Sequence, residues 1–147
     1  MKKMFSRILD WLLDCTVSVK SACIIKYGIP TINGHIYDKN SIDIEDFKST
    51  VKLGRMLGQL TSGFDNFPDP TFHIDNASFI VTNVEKNDVG IKIDVRTLKN
   101  DNGNALMLLI KNNLVVFKPV CIGRNNQDGI VDSAKIVSID AIWISNK

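Results

Sequence analysis

Apolar residues near the start of the chain recur at steps of three and four positions. Between residues 4 and 13 they fall on one side of a helical projection, and the charged Arg7 and Asp10 fall on the other. This spacing predicts an amphipathic helix. We expect residues 1–15 to form a docking helix that contacts a neighbouring subunit, with packing against its own domain as the alternative. The residues expected in that contact are Met4, Phe5, Ile8, Leu9, Trp11 and Leu12.

Five later stretches have the composition or the alternation of β-strands. Residues 16–29 are rich in Val, Ile and Ser, and residues 114–122 form a strongly apolar run. Residues 77–84 and 91–98 alternate on either side of a polar turn, which predicts a hairpin. Residues 130–144 also alternate, so another strand is expected near the end of the chain.

Two stretches have helical features. Ser41 can cap a helix whose first turn holds Asp43 and Glu45, and residues 104–111 predict a second, largely buried helix. The apolar face of the first helix would carry Ile44, Phe47 and Val51. Successive strands with segregated helices indicate an α+β fold. We predict an antiparallel β-barrel of about six or seven strands with flanking helices, formed by residues 16–147 as a single domain.

Composition narrows the range of functions. Eighteen Lys and Arg against sixteen Asp and Glu leave a net charge of +2 without a basic cluster, which argues against a dedicated nucleic-acid surface. Three cysteines lack paired spacing and only two histidines are present, so we expect no metal and no other cofactor. No apolar run is long enough for a membrane span and no export signal is recognisable. We therefore expect a soluble protein made in a cytoplasm.

Six short segments follow one another in the order found in a known family. They are Asn-Gly-His-Ile-Tyr at 33–37, Gly-Arg-Met-Leu-Gly-Gln-Leu at 54–60, Asn-Ala-Ser-Phe at 76–79, a Thr and Gly turn with its helix at 97–109, the apolar run at 114–123, and Val-Ser-Ile-Asp-Ala-Ile at 137–142. Residues 28–144 thereby resemble the phage prohead protease family, which shares its fold with the herpesvirus assembly proteases. The resemblance implies a barrel of that type and a role in phage heads.

The same resemblance implies that the catalytic triad has been replaced. Thr61 and Ser62 follow the segment after which the family has its first His, and Phe79 stands at the second His position. Phe117 and Lys118 stand where the family has its nucleophilic Ser. A hydroxyl nucleophile needs a positioned base. We therefore predict a pseudo-protease with no catalytic residues, that is, a protein that is not an enzyme.

Three further residues of this region have alternative interpretations. Cys121 could replace the nucleophile, but we expect a buried structural thiol because neither His lies at a family position. Asp140 matches the central Asp of the family's closing strand, and we expect it to be a strand residue with a turn or edge partner. Pro119 donates no hydrogen bond to a sheet, so it predicts a bulge or a sheet edge.

The functional hypothesis is an auxiliary or decoration protein of a tailed-phage capsid. It would be assembled in the host bacterial cytoplasm and found in the virion, in contact with the major capsid protein and with copies of itself. No nucleic acid, membrane or small-molecule substrate is expected as a partner. The alternatives are a diverged, active prohead protease that processes scaffold and capsid proteins, and an internal scaffold or core protein.

Overall fold

A computed structural model of the chain describes residues 16–31, 34–62, 74–126 and 128–144. The predicted N-terminal helix lies outside these residues. The described part forms six strands, two α-helices and one short 3₁₀ turn at Ile74–Asn76. The elements are β1 Ser18–Lys26, α1 Glu45–Lys52, β2 Leu57–Ser62, β3 Ala77–Lys86, β4 Gly90–Thr97, α2 Asp101–Lys111, β5 Val115–Asn125 and β6 Val131–Trp143.

All six strands belong to one sheet in the order β1-β4-β3-β2-β6-β5. The pairs are antiparallel except β2 and β6, which run parallel. The edge strands β1 and β5 approach each other, but no ladder of hydrogen bonds joins them within the described ranges. The sheet therefore curls into a barrel that is open on one side. The predicted α+β barrel with flanking helices is confirmed in this form.

The predicted hairpin is formed by β3 and β4. Asn87 closes its turn, because its side-chain oxygen accepts hydrogen bonds from the backbone N–H groups of Val89 and Gly90 at 2.9 and 3.0 Å. At Gly90 a Cβ atom would lie 2.0 Å from the carbonyl oxygen of Ile25 on β1. Glycine at this position therefore lets β1 and β4 pair closely.

Helix α1 buries Phe47 and Val51, as its sequence pattern predicts, but Ser41 does not cap it. The Ser41 hydroxyl is buried and donates to the carbonyl oxygen of Val131, at the start of β6. The first helical turn is instead supported by Asp43, whose carboxylate accepts from the N–H of Glu45 at 3.1 Å. Ser41 thus ties the loop before α1 to the barrel.

Helix α2 begins three residues earlier than its apolar pattern predicts. Asn100 is its N-cap and accepts a hydrogen bond from the N–H of Gly103 at 2.6 Å. The Asn100 side chain also donates to the carbonyl oxygen of Ala77 at 3.0 Å. The cap therefore fastens the helix to β3 as well as starting it.

The inside of the curled sheet is filled by one apolar cluster. Its most deeply buried members are Phe47, Phe79, Val81, Ile91, Ile93, Val95, Leu106, Ile139 and Ala141. They come from α1, α2 and three strands, so the helices cover the sheet and complete the core. Neither described helix is long and apolar enough to cross a membrane.

Candidate functional site

The positions that the family resemblance singles out lie on four adjacent strands, β3, β2, β6 and β5. Gly58 on β2 pairs with Phe79 on β3, and Thr61 pairs with Ile142 on β6. Lys118 on β5 pairs with Asp140 on β6. The sheet thus pairs residues that are 21 to 81 positions apart in the sequence.

Two of these positions belong to the core. The rings of Phe79 and Phe117 meet edge to face, with centroids 5.2 Å apart and planes at 81°. Phe79 is fully buried and Phe117 is 7% exposed. A Cβ atom at Gly58 would lie 2.0 Å from the Phe79 ring. Gly58 therefore makes room for Phe79, and the two rings hold β3 and β5 against the same core.

The opposite face of these strands carries polar residues. Phe117, Ala141 and Leu60 pack against the core, and side chains alternate along a strand. Their neighbours Lys118, Asp140 and Gln59 therefore face the other way, in register across β5, β6 and β2. Ser138 lies on the same face as Asp140, two residues before it. We call Gln59, Lys118, Ser138 and Asp140 the polar row.

Three members of the polar row are buried, and Lys118 is partly exposed. Asp140 is 4% exposed, while Gln59 and Ser138 are each 7% exposed. A buried carboxylate requires polar partners, because desolvation disfavours its charged form. The row places a carboxylate, an amine and a hydroxyl within one small region of the sheet. These are groups from which acid–base and nucleophilic sites are built.

Asp140 is more central than its sequence context suggested. Asp140 is a strand residue, as predicted, and it pairs with Lys118 on the edge strand β5, but β6 itself lies inside the sheet between β5 and β2. The four consecutive buried residues from Ser138 to Ala141 indicate a strand covered on both faces. That run was visible in the sequence only as Ser-Ile-Asp-Ala, which alternation does not distinguish from an exposed strand.

Ser78 is a further polar residue of this region that the sequence did not single out. Its buried hydroxyl accepts a hydrogen bond from the N–H of Leu60 at 3.2 Å and lies 3.2 Å from the carbonyl oxygen of Asn76. The register of β2 and β3 shifts beside it, between Gly58 and Gln59. The Ser78 side chain therefore joins β3 to β2 at the point where the ladder of backbone hydrogen bonds between these strands is irregular.

Cys121 has the environment of a structural thiol. It is partly buried against the core, and burial raises its pKa to about 11, although a hydrogen bond from Tyr37 opposes that shift. Burial also raises the pKa of Tyr37 well above its usual value. A nucleophilic thiol requires a lowered pKa. The structural interpretation of Cys121 therefore agrees with its surroundings.

Pro119 lies on β5, which is an edge strand of the sheet. A register shift separates Val120 from Cys121 directly after it. Both alternatives that Pro119 predicted, an edge and a bulge, are present. In the described part of the chain, no three His, Cys, Asp or Glu side chains come together as a metal site.

Comparison with known proteins supports the fold. No family model matches the sequence, and no curated protein matches it. A solved structure, that of the bacteriophage T4 capsid assembly protease gp21, superposes with a TM-score of 0.63 and 18% sequence identity. The alignment covers 87% of this chain and 81% of that chain. The chain therefore has the fold of a capsid assembly protease.

This comparison corrects one prediction. The expectation that the chain is a pseudo-protease, and so not an enzyme, is contradicted by a solved protease with the same fold. Short motifs assigned Thr61, Ser62, Phe79, Phe117 and Lys118 to catalytic positions. At 18% identity such motifs do not fix which side chains occupy a site, and the polar row was not recognised in the sequence.

Proposed function

We propose that the chain acts in the head of a tailed bacteriophage, as an auxiliary protein that joins the capsid. The observation that carries this proposal is the fold, which is shared with the T4 capsid assembly protease over most of both chains. The partners would be the major capsid protein and further copies of this chain. The low net charge of +2 suits such an assembly, because many copies could lie side by side without strong repulsion.

The packing of the barrel favours a structural role. Phe79 and Phe117 are used for stability, and residues from both helices close the core around them. Several large apolar side chains remain on the surface, among them Leu53 at 66% and Ile122 at 63% exposed. Apolar surface of this kind is available for contacts within an assembly.

Co-sedimentation with empty shells assembled from the major capsid protein tests the proposal. The purified chain should pellet with the shells in a saturable manner and stay in the supernatant without them. A protein of equal size and charge but unrelated fold is the control. Failure to pellet with shells at any maturation stage would contradict the proposal.

A second candidate function is cleavage of capsid or scaffold precursors, and the polar row is the observation that favours it. In this alternative, the Ser138 hydroxyl would be the nucleophile, and Lys118 and Asp140 would be the charged groups that assist it. Ser138→Ala and Lys118→Met should then abolish cleavage of a capsid precursor. Ser133→Ala, at an exposed position of the same strand, is the matched control and should cleave normally. Equal cleavage by all three variants would exclude this site.

A further inference from the structure

The open side of the barrel contains an apolar groove. The groove lies beside the first residues of β1 and β5, and residues at the end of α2 also line it. Its volume is about 270 Å³, and its walls include Val19, Ala22, Cys23, Ile110, Val115 and Val116. Phe117 also lines the groove, so the groove leads directly to the aromatic pair of the core.

The shape of β1 keeps this groove open. Ser21 has a left-handed backbone, with φ of 56°, and the register against β4 shifts between Val19 and Ala22. The carboxylate of Asp94 fixes this bulge by accepting the N–H of Ser21 at 2.8 Å. An edge strand with such a bulge does not extend the ladder to β5. The gap must therefore be covered by side chains, because wet apolar surface costs about 25 cal/mol per Å².

The point at which the chain enters the barrel identifies the occupant. Val17 is held by a reciprocal pair of hydrogen bonds to Thr97: its N–H donates to the side-chain oxygen at 2.9 Å, and its carbonyl accepts from the Thr97 N–H at 3.0 Å. Val17 is thus fixed at the edge of the barrel, two positions before Val19, the first wall residue of the groove. A segment tethered so closely has an effective concentration of about millimolar.

We propose that this groove binds the apolar face of residues 4–13 of the same chain. Met4, Phe5, Ile8, Leu9 and Leu12 recur at helical spacing, so a helix would present them on one face as an apolar stripe that matches the apolar walls of the groove. This inference concerns the completion of the fold and does not depend on the proposed role in the phage head.

Disulfide trapping in the full chain tests this assignment, because Cys23 is an exposed wall residue of the groove. In a Cys15→Ser background, Leu9→Cys or Leu12→Cys introduces a thiol on the apolar face. Arg7→Cys introduces one on the opposite face as the matched control. Oxidised glutathione at low protein concentration accepts the two electrons as each pair of thiols becomes a disulfide.

We expect a disulfide within the monomer for Leu9→Cys, Leu12→Cys or both, at a yield at least tenfold above that of Arg7→Cys. Intact mass and a peptide map would identify the bond to Cys23, and circular dichroism would confirm that each variant is folded. A dimer joined through Cys23 would show that a second copy occupies the groove and would overturn the proposal. Equal disulfide yields from the apolar-face variants and from Arg7→Cys would also overturn it. So would the absence of a cross-link in both Leu9→Cys and Leu12→Cys when these variants are folded.

Discussion

At the scale of single residues, Gly58 and Phe79 explain why a position assigned to catalysis lies in the core. The ring of Phe79 occupies the space that any side chain at Gly58 would need, and it packs edge to face on Phe117. The sequence shows a Gly and a Phe 21 positions apart, but it does not show that β2 and β3 pair at these two residues. The sequence alone does not show which of its distant segments pair in the sheet.

A double-mutant cycle measures this contact. Phe79→Ala should lower the free energy of unfolding by about 3–5 kcal/mol, and Gly58→Ala by about 1–3 kcal/mol because the ring must move. In the Phe79→Ala background, Gly58→Ala should cost much less, since the clash is gone. Urea denaturation provides these values, with Val89→Ala in the exposed hairpin turn as the control. Additive effects would show that the two residues do not meet.

Cys121 gives a prediction about pH. Its pKa in the folded protein is about 11, above the ordinary value of 9.0, so the folded state holds this proton more tightly than the unfolded state. The resulting stabilisation is present below about pH 9 and is lost as the pH rises towards 11. Urea denaturation measures the free energy of unfolding at pH 8 and at pH 10.5. Between these two pH values, the free energy of unfolding should decrease less for Cys121→Ala than for the unchanged chain. An equal decrease in both would contradict a buried thiol.

At the scale of elements, local patterns predicted most of the described structure. The hairpin β3–β4 and the strand β6 follow from alternation, the strands β1 and β5 from their apolar composition, and the buried face of α1 from helical spacing. Three features did not: the strand β2, its parallel pairing with β6, and the bond from Ser41 to Val131. Each depends on contact between parts of the chain at least 80 positions apart, which periodicity does not record.

The N-cap residue of helix α2, Asn100, gives a prediction at the scale of elements. Asn100→Ala removes both the bond to Gly103 and the bond to Ala77, so we expect a loss of about 1–2 kcal/mol in the free energy of unfolding. Asn104→Ala, at an exposed position of the same helix, is the matched control. It should be neutral or slightly stabilising because Ala favours helices. Thermal denaturation followed by circular dichroism compares the two variants.

At the scale of the whole molecule, one curled sheet serves two purposes. Its inner face and both helices build the core, and its outer face carries the polar row across β2, β6 and β5. The open side between β1 and β5 adds an apolar groove beside the start of β1. The fold is that of a capsid assembly protease, and the surfaces available for contact include the groove and exposed side chains such as Leu53.

Quantitative mass spectrometry of purified, DNA-filled phage particles tests the proposed role in the head most directly. A protein that joins the capsid permanently must remain bound through maturation, which requires a large and repeated interface. We expect the intact chain, from Met1 to Lys147, in an amount comparable to that of the major capsid protein. Only traces of the chain, or fragments alone, would contradict a permanent capsid role.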